Sequence, residues 1–152
     1  MTETIRDDAK LTRSTRRWQQ AGGWLLLVLV LSFPAYRFTE SSRRADAAAL
    51  EDKAQITAGR QLWGLNCATC NGPSGEGISA PALNSKEFLT SVTDQQIRDI
   101  VRGGIPGTAM PAWLNDYGGP LTEQQIDAVV AYVRSWEATA PSRPDWRTPS
   151  GA

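Results

Sequence analysis

Cys67-Ala68-Thr69-Cys70-Asn71-Gly72 is the one stretch of this chain where thiols stand close together, since Cys67 and Cys70 are its only cysteines. Two thiols at this spacing can close a disulfide, stay as free buried thiols, act as a redox pair, hold half of a zinc site, or form two thioether bonds to the vinyl groups of a haem. A zinc site takes about four ligands, and the chain has no histidine and no third cysteine. A thioredoxin-type pair needs a βαβ setting, and no stretch alternates with the period of a strand. Thioether attachment, a disulfide and free thiols stay open. The haem-attachment signature C-x-x-C-H places an iron-ligating histidine at its fifth position. Here that position is Asn71.

A third sulfur, Met110, lies in Ile105-Pro106-Gly107-Thr108-Ala109-Met110-Pro111-Ala112-Trp113, which has too much proline and glycine for a helix. A methionine there fills a core gap or offers a soft ligand. The residues around these two stretches predict short helices. Ile56, Gly59, Leu62 and Trp63 share one face of a helix over 55–65 that runs into the cysteine pair. Residues 71–81 read as loop. A helical turn is expected at 85–88. Thr93-Asp94-Gln95-Gln96 and Thr122-Glu123-Gln124-Gln125 are capping boxes that open two further helices. Ile97, Ile100 and Val101 make the predicted buried stripe of one; Ile126, Val129, Val130, Val133 and Trp136 make that of the other, which Pro141 ends. Trp63, Trp113 and Trp136 read as core.

Ahead of this domain lies an apolar segment. The 21 residues from Trp18 to Phe38, at about 1.5 Å each, match a hydrocarbon layer of roughly 30 Å. Trp18, Trp24, Tyr36 and Phe38 occupy the ends, where interfacial aromatics sit. A cleaved leader is the competing reading, but the small-residue pattern Ala45-Asp46-Ala47 lies too far beyond the apolar run. Residues 1–20 hold five basic and three acidic side chains, and residues 37–152 hold eleven and thirteen. A basic tip before an apolar run predicts a cytoplasmic N-terminus and a main domain outside the cytoplasmic membrane. The formal net charge of zero gives no support to nucleic-acid binding. The expected division is a tail over 1–17, a transmembrane anchor over 18–38, a linker over 39–53, a globular domain over 54–138 and a flexible tail over 139–152. About 85 residues in a few short helices make a thin core, for which a staple or cofactor is expected.

In order along the chain, Gly59 and Trp63, Cys67 and Cys70, Gly72 with Gly75-Glu76-Gly77, Ala80-Pro81-Ala82-Leu83, the Met110 loop and Tyr132 resemble a class I mono-haem cytochrome c domain of the short bacterial, membrane-anchored type. The resemblance covers residues 54–138. It implies an all-α, cytochrome c-like fold preceded by one transmembrane helix, with the first and last helices crossing where Tyr132 faces Gly59 and Trp63. It implies haem c on Cys67 and Cys70, a proximal histidine at the place of Asn71 whose hydrogen bond the Pro81 carbonyl accepts, and Met110 as distal iron ligand. It also implies membership of a respiratory or photosynthetic electron-transport complex, with other subunits of that complex and the membrane as partners.

Asn71 departs from that pattern. An amide is a poor iron ligand through its oxygen, and its nitrogen is not basic. Two functions follow, neither of them an enzyme's. One is a structural or accessory subunit with the cytochrome c shape and no haem. The other is an electron carrier with non-standard axial ligation.

Overall fold

The computed structural model describes the backbone of residues 2–149 and the side chains of residues 16–149 except Ala35. Most of the expected N-terminal tail's side chains, and residues 150–152, lie outside the described residues. Helix α1 runs Thr2–Asn66, followed by α2 (Ala68–Asn71), α3 (Lys86–Ser91), α4 (Asp94–Gly103), a 3-10 turn (Asn115–Tyr117) and α5 (Glu123–Arg134). The only strand-like pairing among the described residues is one isolated bridge, Leu114 with Leu121. The fold is all-α.

The chain divides into two compact units, residues 1–48 and 49–152. In the first, α1 carries one stretch long and apolar enough to cross a membrane. Trp18, Trp24 and the leucines and valines of 25–31 are all exposed, as a lipid-facing stretch must be. Pro34 sits inside the helix. Residues 39–53, read from sequence as a linker, are helical, consistent with their alanine-rich composition.

In the second unit, Trp63, Phe88, Leu89, Ile97, Val101, Leu114, Leu121, Ile126, Val129, Val130, Val133 and Trp136 form one buried cluster. Local signals fix its helices. Ser85 caps α3 by accepting from the Phe88 amide at 3.0 Å, and both predicted capping boxes are formed, Thr93 with Gln96 and Thr122 with Gln125. The C-terminal part of α1 crosses α5 at Gly59, where a Cβ would overlap the Ala128 carbonyl and reach the Tyr132 Cβ at 2.9 Å. That close approach stacks three rings edge to face: Trp63–Trp136 at 5.1 Å, Trp63–Tyr132 at 6.1 Å and Tyr132–Trp136 at 5.0 Å.

Helices α4 and α5 are laced by Arg98–Asp127 at 2.6 Å, Arg102–Glu123 at 2.8 Å and Arg134–Asp94. The Asp127 hydrogen bond holds the Arg98 guanidinium above its ordinary range. Arg134 also donates to the Leu89 carbonyl at 2.5 Å and to the Val92 carbonyl, which closes the α3–α4 connection.

Four sequence expectations are corrected here. Ile100 is exposed rather than part of the α4 stripe; at 100° per residue it lies at the edge of the arc defined by Ile97 and Val101. Trp113 is half-buried, packed at the edge of the core. Helix α5 ends at Arg134, and turns carry the chain to Pro141. Residues 141–149, expected to be flexible, lie instead against the domain. The Pro141 carbonyl accepts from the Lys86 amide at 3.0 Å, the Trp146 carbonyl accepts from the Ala82 amide at 2.8 Å, and the Trp146 ring meets Phe88 at 5.1 Å.

Candidate functional site

The site grows out of the end of α1. The Cys67 amide donates to the Trp63 carbonyl at 2.8 Å, and Cys67 then caps the single turn α2. The amides of Cys70 and Asn71 donate to the Cys67 carbonyl at 3.3 and 3.0 Å. Both cysteines are free thiols. Cys67 is half-buried against the core and Cys70 is exposed. Burial, and to a lesser degree the neighbouring Cys70, pushes the Cys67 thiol up to about 11. A thiol so protonated is a poor nucleophile at neutral pH.

Asn71 is half-buried. Its Nδ2 donates to the Cys67 carbonyl at 3.3 Å, so the amide turns back onto its own helical turn.

Main-chain bonds shape the loop that follows. The Cys70 carbonyl receives three amides, from Ile78 at 3.0 Å, Ser79 at 3.1 Å and Ala80 at 3.2 Å. The Gly77 amide donates to the Asn71 carbonyl at 2.8 Å, and the Asn84 amide to the Gly75 carbonyl at 2.8 Å. Gly75 takes a φ of 75°, and a side chain there would strike the Trp136 ring. The Trp63 indole donates to the Gly72 carbonyl at 2.9 Å. Pro81 is half-buried between Ala80, tied to Cys70, and Ala82, tied to Trp146.

Met110 comes from a separate loop. Thr108 donates its hydroxyl to the Ile105 carbonyl at 2.8 Å and accepts from the Met110 amide at 3.2 Å; the Ile105 amide donates to the Met110 carbonyl at 3.1 Å. Met110 packs, half-buried, against the same core cluster as Cys67, Leu83 and Trp113. The structure therefore sets Cys67 and Met110 on one core, while Cys70 faces solvent. Leu65, Ile78 and Ile105, which neighbour these stretches in sequence, are exposed apolar side chains. Among the described residues no cluster of three or more cysteine and carboxylate side chains could hold a metal ion. A groove of 380 Å³ between α1 and α5 is lined by Ala54, Ala58, Leu62 and Ala128, among others, and includes none of Cys67, Cys70 and Met110.

The sequence reading missed Arg143, Trp146 and Glu87. Arg143 donates from Nη1 to the Glu76 carbonyl at 2.7 Å, and the Glu87 carboxylate receives Ser142 Oγ at 2.5 Å and the Arg143 amide at 2.7 Å. The one signal in sequence was an aromatic residue between two arginines, Arg143 and Arg147, in an otherwise polar, proline-rich tail.

Residues 54–133 match the family model described as cytochrome c oxidase, cbb3-type, subunit III. The subunit CcoP of a cbb3-type cytochrome c oxidase from Azospirillum sp. strain B510 is 34% identical over 96 residues, which is 56% of this chain and 32% of that protein. The subunit FixP of a cbb3-type oxidase from Sinorhizobium medicae is 30% identical over 94 residues, 59% of this chain and 32% of that one. The chain spans about a third of the length of these relatives. The crystal structure of cytochrome cL from Methylophaga aminisulfidivorans aligns with 63% of this chain and 77% of its own, at 25% identity and a TM-score of 0.49.

Proposed function

The chain belongs to the cbb3-type cytochrome c oxidase subunit III family, and we propose that it is a membrane-tethered accessory subunit of a respiratory electron-transport complex, keeping the cytochrome c fold without an electron-carrying haem. The observation that carries this reading is residue 71. Iron in a haem of this class takes a strong nitrogen donor such as neutral imidazole on its proximal face. This chain contains no histidine, and the Asn71 amide is engaged with the Cys67 carbonyl. Two thiols in the attachment positions, one neutral amide and one thioether do not fit the proximal ligation of a haem of this class.

The rest of the molecule is consistent with a docking role. The relatives are named as oxidase subunits, and Leu65, Ile78 and Ile105 are apolar side chains that the domain's own core leaves uncovered, of the kind a subunit interface covers. Residues 18–38 serve as the anchor and 54–138 as the cytochrome c-like domain. The basic N-terminal flank supports a position for that domain outside the cytoplasmic membrane.

A second reading rests on a specific observation. Met110 and Cys67 pack against one core, so the distal sulfur and one thioether position persist together. On that reading Cys67 and Cys70 would hold haem c through thioether bonds, Met110 would ligate its iron and Pro81 would line the site, and the group would supply one-electron transfer. The absorption spectrum and intact mass of the full chain, expressed with haem-attachment factors, separate the two. The accessory reading expects no Soret band and a polypeptide mass without haem; a covalently bound haem overturns it. A mass two hydrogens light reports a Cys67–Cys70 disulfide. Asn71→His is expected to gain covalent haem under the same conditions.

A further inference from the structure

The loop from Glu76 to Leu83 is held from two sides. On the inner side the Cys70 carbonyl receives the amides of Ile78, Ser79 and Ala80. On the outer side the segment 141–149 runs across it. Arg143 Nη1 holds the Glu76 carbonyl at the start of the loop, at 2.7 Å. The Trp146 carbonyl takes the Ala82 amide near its end, at 2.8 Å. Beyond the loop the same segment is pinned to α3, through Pro141 to the Lys86 amide and through Ser142 and Arg143 to the Glu87 carboxylate. Ala82 is buried, so its amide would be unpaired without the strap, and a buried unpaired donor is costly. The Trp146 ring closes the outer face against Phe88, with Arg147 stacked on it at 4.2 Å.

We infer that Arg143 and Trp146 are positioning residues for the cysteine-pair loop: the C-terminal strap holds Glu76–Leu83 against Cys70. These contacts lie within the chain itself and are the same under either reading of Asn71, so failure of the strap to position the loop and failure of the accessory-subunit reading are separate events.

The test uses the full chain in detergent, with three variants: a truncation after Ala140, Trp146→Ala and the milder Arg143→Gln. Amide hydrogen exchange is read residue by residue, and Cys67 alkylation is timed under reducing conditions. In the truncation and in Trp146→Ala, exchange at Ala82 and at Ile78–Ala80 is expected to rise about tenfold, the scale of one lost net hydrogen bond. Val129 and Val133 in α5 keep their protection, and Cys67 alkylates faster. Arg143→Gln gives the same pattern in smaller measure, centred on Gly77 and Ile78, and serves if either larger change prevents folding. Trp146→Phe, which keeps the ring against Phe88, restores the wild-type pattern. Wild-type exchange at Ile78–Ala80 in the truncated chain overturns the inference. So does uniform acceleration that includes α5, because the strap would then be stabilising the domain at large and positioning nothing in particular.

Discussion

The indole of Trp63 donates to the Gly72 carbonyl at 2.9 Å, so one hydrogen bond arches over the whole cysteine pair and joins the helix that delivers it to the loop that leaves it. Both partners are buried. Trp63→Phe keeps most of the ring packing against Trp136 and Tyr132 and leaves the Gly72 carbonyl with the Gly75 amide, at 3.2 Å, as its remaining partner. A loss of about 0.5–1.5 kcal/mol in denaturant unfolding is expected, together with faster alkylation of Cys67. A variant with unchanged thiol reactivity would show that this bond stabilises the fold without shaping the site.

The two thiols are expected to react in order. Cys70 is exposed, while Cys67 is half-buried with its thiol raised to about 11. With the protein kept reduced at pH 8, iodoacetamide should modify Cys70 first. The Cys67 rate should then climb with pH toward that value, because the thiolate is the nucleophile. Peptide mass mapping over a pH series checks this; equal rates at pH 8 contradict the burial of Cys67.

Acid should release the strap before it unfolds the helices. The Ser142 hydroxyl, then the Arg143 amide, hold the Glu87 carboxyl below its ordinary range, with Lys86 adding a smaller pull. The charged side chain acting on this contact is Lys86 of α3, while Arg143 takes part through its main-chain amide. A carboxyl lowered in the folded state contributes its full stabilisation at neutral pH; that contribution is lost as pH falls through the ordinary carboxylate range to the folded value. Limited proteolysis within 141–149 is expected to accelerate across that window. Glu87→Gln should remove the pH dependence and leave the site of cleavage unchanged.

Two glycines of α1 should respond in opposite directions. Gly64 has open space where a Cβ would stand, so Gly64→Ala should stabilise the helix by about 0.5–1 kcal/mol. At Gly59 the same methyl would fall on the Ala128 carbonyl. Gly59→Ala is therefore expected to destabilise by about 1–3 kcal/mol, the scale of overpacking. Thermal unfolding of the pair reads both signs in one experiment.

What could be read in the sequence was local. The capping boxes at Thr93 and Thr122 are spelled within four residues, and the structure forms both. Gly59, Trp63 and Tyr132 were placed by resemblance, and they meet at the α1–α5 crossing. What could not be read was distant in the chain. Glu87 meets Ser142 across 55 positions and Glu76 meets Arg143 across 67, and nothing in a proline-rich tail marks which surface it will cover. Ile100 failed for a finer reason: periodicity names a face, but the width of the covered arc depends on the neighbour that covers it. At the candidate site, the sequence supplies the sulfur-bearing residues and their spacing. It does not tell that Cys67 is sheltered while Cys70 is open, since that depends on how the loop folds back.

Three amides converge on the Cys70 carbonyl, and that junction uses main chain alone. A scaffold written in the backbone is indifferent to most side chains hung on it. Residue 71 can therefore drift from one chemical identity to another with little effect on the fold around it. A domain built this way can change the chemistry of that one position while its shape is kept.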